Sequence, residues 1–295
     1  MRFLKTVIAF APLFVATLAS AQERPRVMMV NYPLQYFAEQ LLGDAAEVVM
    51  PVPADVDPSF WRPSISDISG IQSADLILLN GAGFATWVDR VSLPRSKLVN
   101  TSASIESQFI VTESITHSHG EGSEHSHEGL ASYTWLDPSL AIAQAEAVAA
   151  AITRRDLAPA EDVESRLSAL RSEFEALDAQ AESALAHLTG VPMIATHPRY
   201  QYFARRYDLS IAALEWEAGM MPTDAEVADL QALVAGSGAR VLIWEAEPPA
   251  AAFEITAALG LQNVVFPTLA HGVDGRSLPQ VYSDAIAAMS GIEAD

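Results

Sequence analysis

Residues 160–188 contain neither glycine nor proline, and Leu167, Leu170, Phe174, Leu177, Ala181 and Leu185 recur among them at intervals of three or four. This period lines apolar side chains along one face of an α-helix. At 1.5 Å per residue such a helix is about 40 Å long, longer than a small domain is wide. It serves either as a stiff connector between two bodies or as one arm of a helical hairpin packed on a single body. The period alone leaves both open. A second, Ala-rich helix is predicted just before it, over 138–152.

Short apolar runs alternate with helical stretches on both sides of this segment. Residues 27–31, 47–52, 75–80 and 97–100 predict strands, with helices over 33–42 and 64–73 between them. Beyond the long helix, 192–196, 210–214, 240–245 and 263–267 predict strands, separated by helices over 200–207, 223–235 and 249–259. Thr223 and Glu226 have capping-box spacing for the start of one of these helices. The alternation predicts an α/β fold with parallel sheets covered by helices. The halves also echo each other: Tyr32-Pro33 precedes Tyr36-Phe37-Ala38, and His197-Pro198 precedes Tyr202-Phe203-Ala204. Both pairs follow a strand, so Tyr32 and His197 fall at strand carboxyl ends, where α/β lobes bind ligands.

The amino terminus reads as a secretion signal over 1–21. Arg2 and Lys5 precede an uncharged apolar run over 6–18, and Ala19-Ser20-Ala21 fits the small-residue cleavage rule. The run falls short of the ~20 residues needed to span a bilayer. Cleavage near Ala21 and a periplasmic location are expected. The chain has no cysteine, which excludes disulfides, thiolate zinc sites and a lipid anchor on an N-terminal cysteine. Net charge is −20, and loss of Arg2 and Lys5 with the signal makes it −22. Phosphate backbones need a basic surface, so nucleic acid is not an expected partner.

The most informative local feature is the segment 117–129, His-Ser-His-Gly-Glu-Gly-Ser-Glu-His-Ser-His-Glu-Gly, which holds four of the seven histidines and nothing to bury. Its composition predicts a surface loop. His117, His119, His125 and His127 are candidate ligands for Zn²⁺ or another transition metal, because neutral imidazole is the commonest biological metal ligand. A flexible loop loses conformational entropy when it orders around an ion, so it suits capture, buffering or delivery better than one rigid site. A solvated linker and a pH sensor are the competing readings.

Other residues extend the pattern: Asp57-Pro58-Ser59-Phe60-Trp61-Arg62-Pro63-Ser64, Ala74-Asp75-Leu76-Ile77 with Asn80-Gly81-Ala82-Gly83, and Trp87. Tyr133-Thr134-Trp135-Leu136-Asp137-Pro138 follows the His-rich loop, and Thr196-His197 with Tyr202-Phe203-Ala204-Arg205-Arg206-Tyr207 follows the long helix, with Glu247-Pro248 beyond. In this order the chain resembles the zinc/manganese substrate-binding proteins of ABC importers, the TroA/ZnuA-like family, over nearly its whole length after the signal. The resemblance implies two βα lobes joined by a long backbone helix, with the metal in a cleft between them. It divides the chain into an N-terminal lobe over 22–158, a connecting helix over 159–188 and a C-terminal lobe over 189–295. The implied partners are a transition metal ion and an ABC permease of the inner membrane, with the binding protein acting as a monomer.

The resemblance also implies three histidines and a carboxylate, and here the chain departs from it. Ser59 and Tyr133 stand where the first two histidines are expected, His197 matches the third, and neither Thr268 nor Leu269 can supply the carboxylate. His271 and Asp274 lie nearby as substitutes. Three readings follow. The cleft binds Zn²⁺ or Mn²⁺ through a rebuilt set of His197, His271 or Asp274 and loop imidazoles. Alternatively Tyr133 signals a harder ion such as Fe³⁺, which phenolate oxygen suits. In the third, the cleft has lost its metal, and the protein is a chaperone or buffer working through its loop, or binds a non-metal ligand. Glu215, Glu217, Glu245 and Glu247 read first as strand-end charges in water, with Glu215-Trp216-Glu217 facing the cleft as the alternative. Trp61, Trp135 and Trp216 either wall the cleft or fill the lobe cores, and core is the favoured reading.

A secreted metal-dependent hydrolase is the rival class. The chain carries no Gly-x-Ser-x-Gly, no His-Glu-x-x-His, no P-loop and no cysteine nucleophile, so a binding protein is expected rather than an enzyme.

Overall fold

The structure, a computed structural model, describes residues 24–112, 129–273 and 275–294. Two four-stranded sheets, parallel throughout, organise it. In the first, β1 (Arg26–Met29) lies between β2 (Glu47–Val49) and β3 (Leu76–Leu79), with β4 (Leu98–Asn100) outside β3. Val27 pairs with Val48 on one side and Leu76 on the other. A short antiparallel pair, β5 (Val111–Thr112) and β6 (Gly129–Leu130), follows.

The second sheet contains β7 (Pro192–Ala195), β8 (Ser210–Ala213), β9 (Val241–Trp244) and β10 (Gln262–Val265), in the order β10-β9-β7-β8. Numbered within its own half, each sheet therefore runs 2-1-3-4, so the short sequence echo reflects the same topology twice. Strands such as Leu76–Leu79 and Val241–Trp244 are apolar without alternation because helices cover both faces of a parallel sheet.

The covering helices are α1 (Tyr32–Leu42), α2 (Ile65–Ser73) and α3 (Pro138–Arg154) in the first half. The second half adds α5 (Gln201–Arg206), α6 (Asp224–Ser237), α7 (Ala250–Ala258) and α8 (Leu278–Ser290). The Thr223–Glu226 capping box forms as its spacing predicts. Helix α8, which the periodicity reading leaves unassigned, starts at a capping box of Ser277 and Gln280.

Helix α4 (Ala160–Leu185), extended by a tighter turn over Ala186–Leu188, joins the halves. Its buried stripe is the predicted one: Val163, Leu167, Leu170, Phe174, Leu177, Ala181 and Leu185. It packs on α1 and α3 in one lobe and on α8 in the other. Polar ties match this packing. Tyr36 donates to Glu173 at 2.9 Å, whereas Arg206 Nε and the Tyr207 hydroxyl donate to Asp178 at 2.9 and 3.0 Å. One apolar core runs through both lobes, from Phe37 and Phe174 to Phe203, Phe266 and Tyr282. Helix α4 is thus a connector that shares the core of both lobes. Trp61, Trp135 and Trp216 are all buried.

Candidate metal site

In a sheet of order 2-1-3-4 the chain leaves the first and third strands in opposite directions, which opens a crevice at their carboxyl ends. In the second lobe those ends carry His197, just beyond β7, and Glu245, next after β9. In the first lobe the equivalent ends carry Asn31 and Asn80, which are fully buried and bonded to each other at 3.1 Å. Gly81 follows Asn80 with φ +77°, and a Cβ there would stand 2.2 Å from Asn100 Oδ1. The first-lobe crevice is therefore sealed by amides, and the ionisable groups at these strand ends belong to the second lobe.

His197 Nδ1 lies 3.0 Å from the Trp216 carbonyl oxygen. A carbonyl only accepts, so Nδ1 carries a proton, and Nε2 lies 3.8 Å from Glu215 Oε2. Metal-binding imidazoles are held in this way, with the distal nitrogen donating to a carbonyl or carboxylate. Glu245 Oε2 is 3.6 Å from His197 Nδ1, and Thr268 donates to Glu245 Oε1 at 3.1 Å. Glu245 has a side chain only 10 % exposed. Burial pushes its carboxyl above the ordinary carboxylate range, against the pull of Arg199.

The first lobe closes over these groups. Asp57 accepts from Ser59 Oγ at 2.6 Å and from Arg199 Nη2 at 2.9 Å. Trp135 Nε1 donates across the cleft to the Thr268 carbonyl at 2.8 Å, and the Tyr32 N–H to that of Ala270 at 2.9 Å. His271 Nε2 donates back to the Val56 carbonyl at 2.5 Å. A cavity of about 330 Å³ remains here, lined by Asp57, Glu245, Thr268 and His271 among others.

Tyr133, at an expected histidine position, is 1 % exposed and packs against Phe84 and Trp135. Its hydroxyl approaches Ser59 without a formed hydrogen bond, and burial pushes its pKa far above the usual phenol value. Its ring face, rather than its oxygen, meets Arg199, whose guanidinium carbon is 4.6 Å from the ring centre. His197 is thus set beside Glu215 and Glu245, Tyr133 lies beneath Arg199, and His271 lines the neighbouring cavity. His117, His119, His125, His127 and Asp274 lie outside the described residues. Among the described residues no three His, Cys, Asp or Glu side chains converge as a ready-made metal cluster.

Sequence reasoning passes over Asp57 and Arg199 as members of this site, and it reads Glu245 as a strand-end charge in water, whereas the side chain is only 10 % exposed. For Glu245 a signal exists, its place one residue beyond a strand that is apolar on both faces. For Arg199 the only signal is its position two residues after His197.

Two lobes of matching topology, bridged by one long helix, with ionisable groups where they face each other, define a two-lobed substrate-binding protein. The zinc-uptake complex component A periplasmic family, ZnuA, matches residues 27–290, and the chain belongs to this family. It is 27 % identical over 244 residues to the high-affinity zinc uptake system protein ZnuA of Bacillus subtilis, a match covering 77 % of this chain and 72 % of that protein. It is 26 % identical over 211 residues to the zinc-binding lipoprotein AdcA of Streptococcus pneumoniae, covering 70 % of this chain but only 41 % of AdcA. The fold is similar to that of the metal-dependent lipoprotein YcdH of Bacillus subtilis, with TM-score 0.75, 22 % identity and coverage of 90 % and 98 %. It is also similar to the Zn(II)-bound ZnuA-like domain of Streptococcus pneumoniae AdcA, with TM-score 0.74, 19 % identity and coverage of 90 % and 98 %.

Proposed function

We propose that the protein captures Zn²⁺ in the periplasm as a monomer and delivers it to an ABC permease of the inner membrane. The carrying observation is the placement of His197 and Glu245 at the carboxyl ends of the two central strands of the second lobe, with Glu215 beside His197 Nε2. One imidazole and one buried carboxylate, with Glu215 alongside, form the nucleus of a nitrogen–oxygen site of the kind Zn²⁺ takes. The named relatives, which are zinc-uptake and zinc-binding proteins, support zinc over Mn²⁺ or Fe³⁺. The imidazoles of 117–129 supply weaker additional sites, and His271 and Asp274 are the further donors to the tight one. The working division remains 22–158, 159–188 and 189–295, after a signal over 1–21.

Calorimetry on the chelator-stripped mature protein tests this. One saturable Zn²⁺ site is expected near neutral pH, weakened at least tenfold by His197→Ala, whereas deletion of 117–129 removes only weaker additional ions. A wild-type protein with no saturable Zn²⁺ binding refutes the proposal. Binding abolished by the deletion and untouched by His197→Ala moves the site from the cleft to the loop.

A further inference from the structure

The cleft already contains a cation. Arg199 is 8 % exposed although it carries a full positive charge. Its Nη2 donates to Asp57 of the opposite lobe at 2.9 Å, its Nε lies 3.9 Å from Glu245 Oε2, and its plane rests over the rings of Tyr133 and Phe60. The same Glu245 oxygen is 3.6 Å from His197 Nδ1. Arg199 Nε is buried with no hydrogen-bond partner, and so is the Tyr133 hydroxyl. A guanidinium built into the fold solely as a clamp is expected to use its fork of donors fully; this one leaves a buried donor unused between two acidic side chains.

We infer that Arg199 is an internal counter-cation that holds the metal-free cleft shut, and that a captured metal ion must displace it. This rests on the capture reading above. A dication bound by His197 and Glu245 would share a carboxylate oxygen with the guanidinium, and like charges at such separation in a buried site repel too strongly to coexist. Two states result. With Arg199 inside, the guanidinium ties the lobes together through Asp57 and lies beside the buried Glu245 carboxyl. With metal inside, the ion takes that place beside Glu245, Asp57 is released toward it, and the guanidinium moves into water. Because the ion must compete with Arg199, apparent affinity falls below the intrinsic affinity of the ligand set by the fraction of protein in which Arg199 is already out. Arg199 then sets a threshold, so that only an ion binding more strongly than the guanidinium enters.

The test is a competition titration of the full mature chain with Zn²⁺ against a chromophoric chelator. Arg199→Met keeps the length of the side chain without its charge and is expected to bind Zn²⁺ at least tenfold more tightly than wild type, by roughly the factor that occlusion withholds. Arg199→Lys retains the charge and should stay within about threefold of wild type on the same reasoning. The Arg199→Met gain should vanish when His197→Ala is added. A purely structural clamp predicts the opposite, equal or weaker binding in Arg199→Met, and that result overturns the inference while leaving capture intact. Absence of His197-dependent binding in both wild type and Arg199→Met overturns both. A measurement on the wild-type protein needs no variant to fold except for assignment. The Arg199 Nε–H resonance, assigned by its loss in Arg199→Lys, should move to a solvent-exchanging position at Zn²⁺ saturation. An unchanged resonance at saturation also overturns the inference.

Discussion

The Arg199 guanidinium rests 4.6 Å above the Tyr133 ring while its Nη2 bonds Asp57 at 2.9 Å. One side chain of the second lobe thereby contacts two residues of the first: Tyr133, at a position where the family resemblance leads one to expect a histidine, and Asp57, two residues before another such position, Ser59. The contact uses the face of the Tyr133 ring, as a cation–π pair does. The Tyr133 hydroxyl contributes nothing to it.

Tyr133→Phe is accordingly expected to be neutral or stabilising. A buried hydroxyl without a hydrogen bond carries an uncompensated desolvation cost, and replacing it with hydrogen should gain up to about 1 kcal/mol. The ring and its contact with Arg199 persist in phenylalanine, so Zn²⁺ affinity should be unchanged. Urea unfolding and a Zn²⁺ titration measure both. A loss of more than about 1 kcal/mol would show that Ser59 is a true partner of the hydroxyl, and lost metal binding would make the phenol oxygen a ligand.

Phe174→Ala should weaken the whole molecule rather than one lobe. Phe174 is 3 % exposed on α4 and packs edge-on to Phe37 at 5.5 Å, within a core continuous through both lobes. Truncating a buried phenylalanine costs about 3–5 kcal/mol. Because α4 belongs to both lobes, unfolding followed by far-UV circular dichroism and by tryptophan fluorescence should shift together and stay coincident. Separation of the two curves would show that the lobes unfold independently of α4.

The strands and the long helix are legible in the sequence because their signals are local. Val241–Trp244 is uniformly apolar, and Leu167 to Leu185 keep a helical period whatever surrounds them. Helix α8 also had its signals, with Ser277 and Gln280 in capping positions and Val281, Tyr282, Ala285, Ile286 and Met289 on one face. The site was less legible, because it depends on how the lobes meet. Glu215 and Glu245 both follow strands, yet one side chain is 35 % exposed and the other 10 %. The difference arises from the first lobe, whose Asp57 loop and Trp135 close over Glu245 and Thr268 and leave Glu215 at the rim. Nothing near Arg199 in the sequence indicates that its side chain crosses to Asp57, 142 positions away.

Trp135→Phe tests that closure. Trp135 is 2 % exposed, and its indole N–H crosses the cleft to the Thr268 carbonyl. Removing the donor leaves a buried carbonyl unsatisfied, a cost of about 2 kcal/mol. The segment after β10 is held in an unusual backbone, with Leu269 at φ +62°, so its restraint depends on such bonds. Amide exchange should accelerate in 268–272 and in the 54–60 loop facing it, while the rest of the second sheet keeps its protection. Uniform acceleration would mean a global loss of stability without selective opening.

Glu245→Gln gives the pH signature of the same closure in metal-free protein. The folded carboxyl is raised above its ordinary value of 4.5, chiefly by burial. A raised folded pKa means that the folded state binds more protons than the unfolded state between the two values, so stability falls as pH rises through that window. The contribution is fully present below about 4.5 and lost once pH exceeds the folded value. Glutamine mimics the protonated acid and can still accept from Thr268. In the presence of chelator, wild type and Glu245→Gln should therefore match near pH 4, and Glu245→Gln should become progressively the more stable as pH rises to 8. Adding Zn²⁺ should reverse the order at pH 7, because the ion stabilises only the chain that retains the carboxylate. Melting temperatures across pH, with and without the ion, read out both effects. A variant that melts below wild type at every pH without metal would show that the Arg199–Glu245 attraction outweighs the cost of burying the charge.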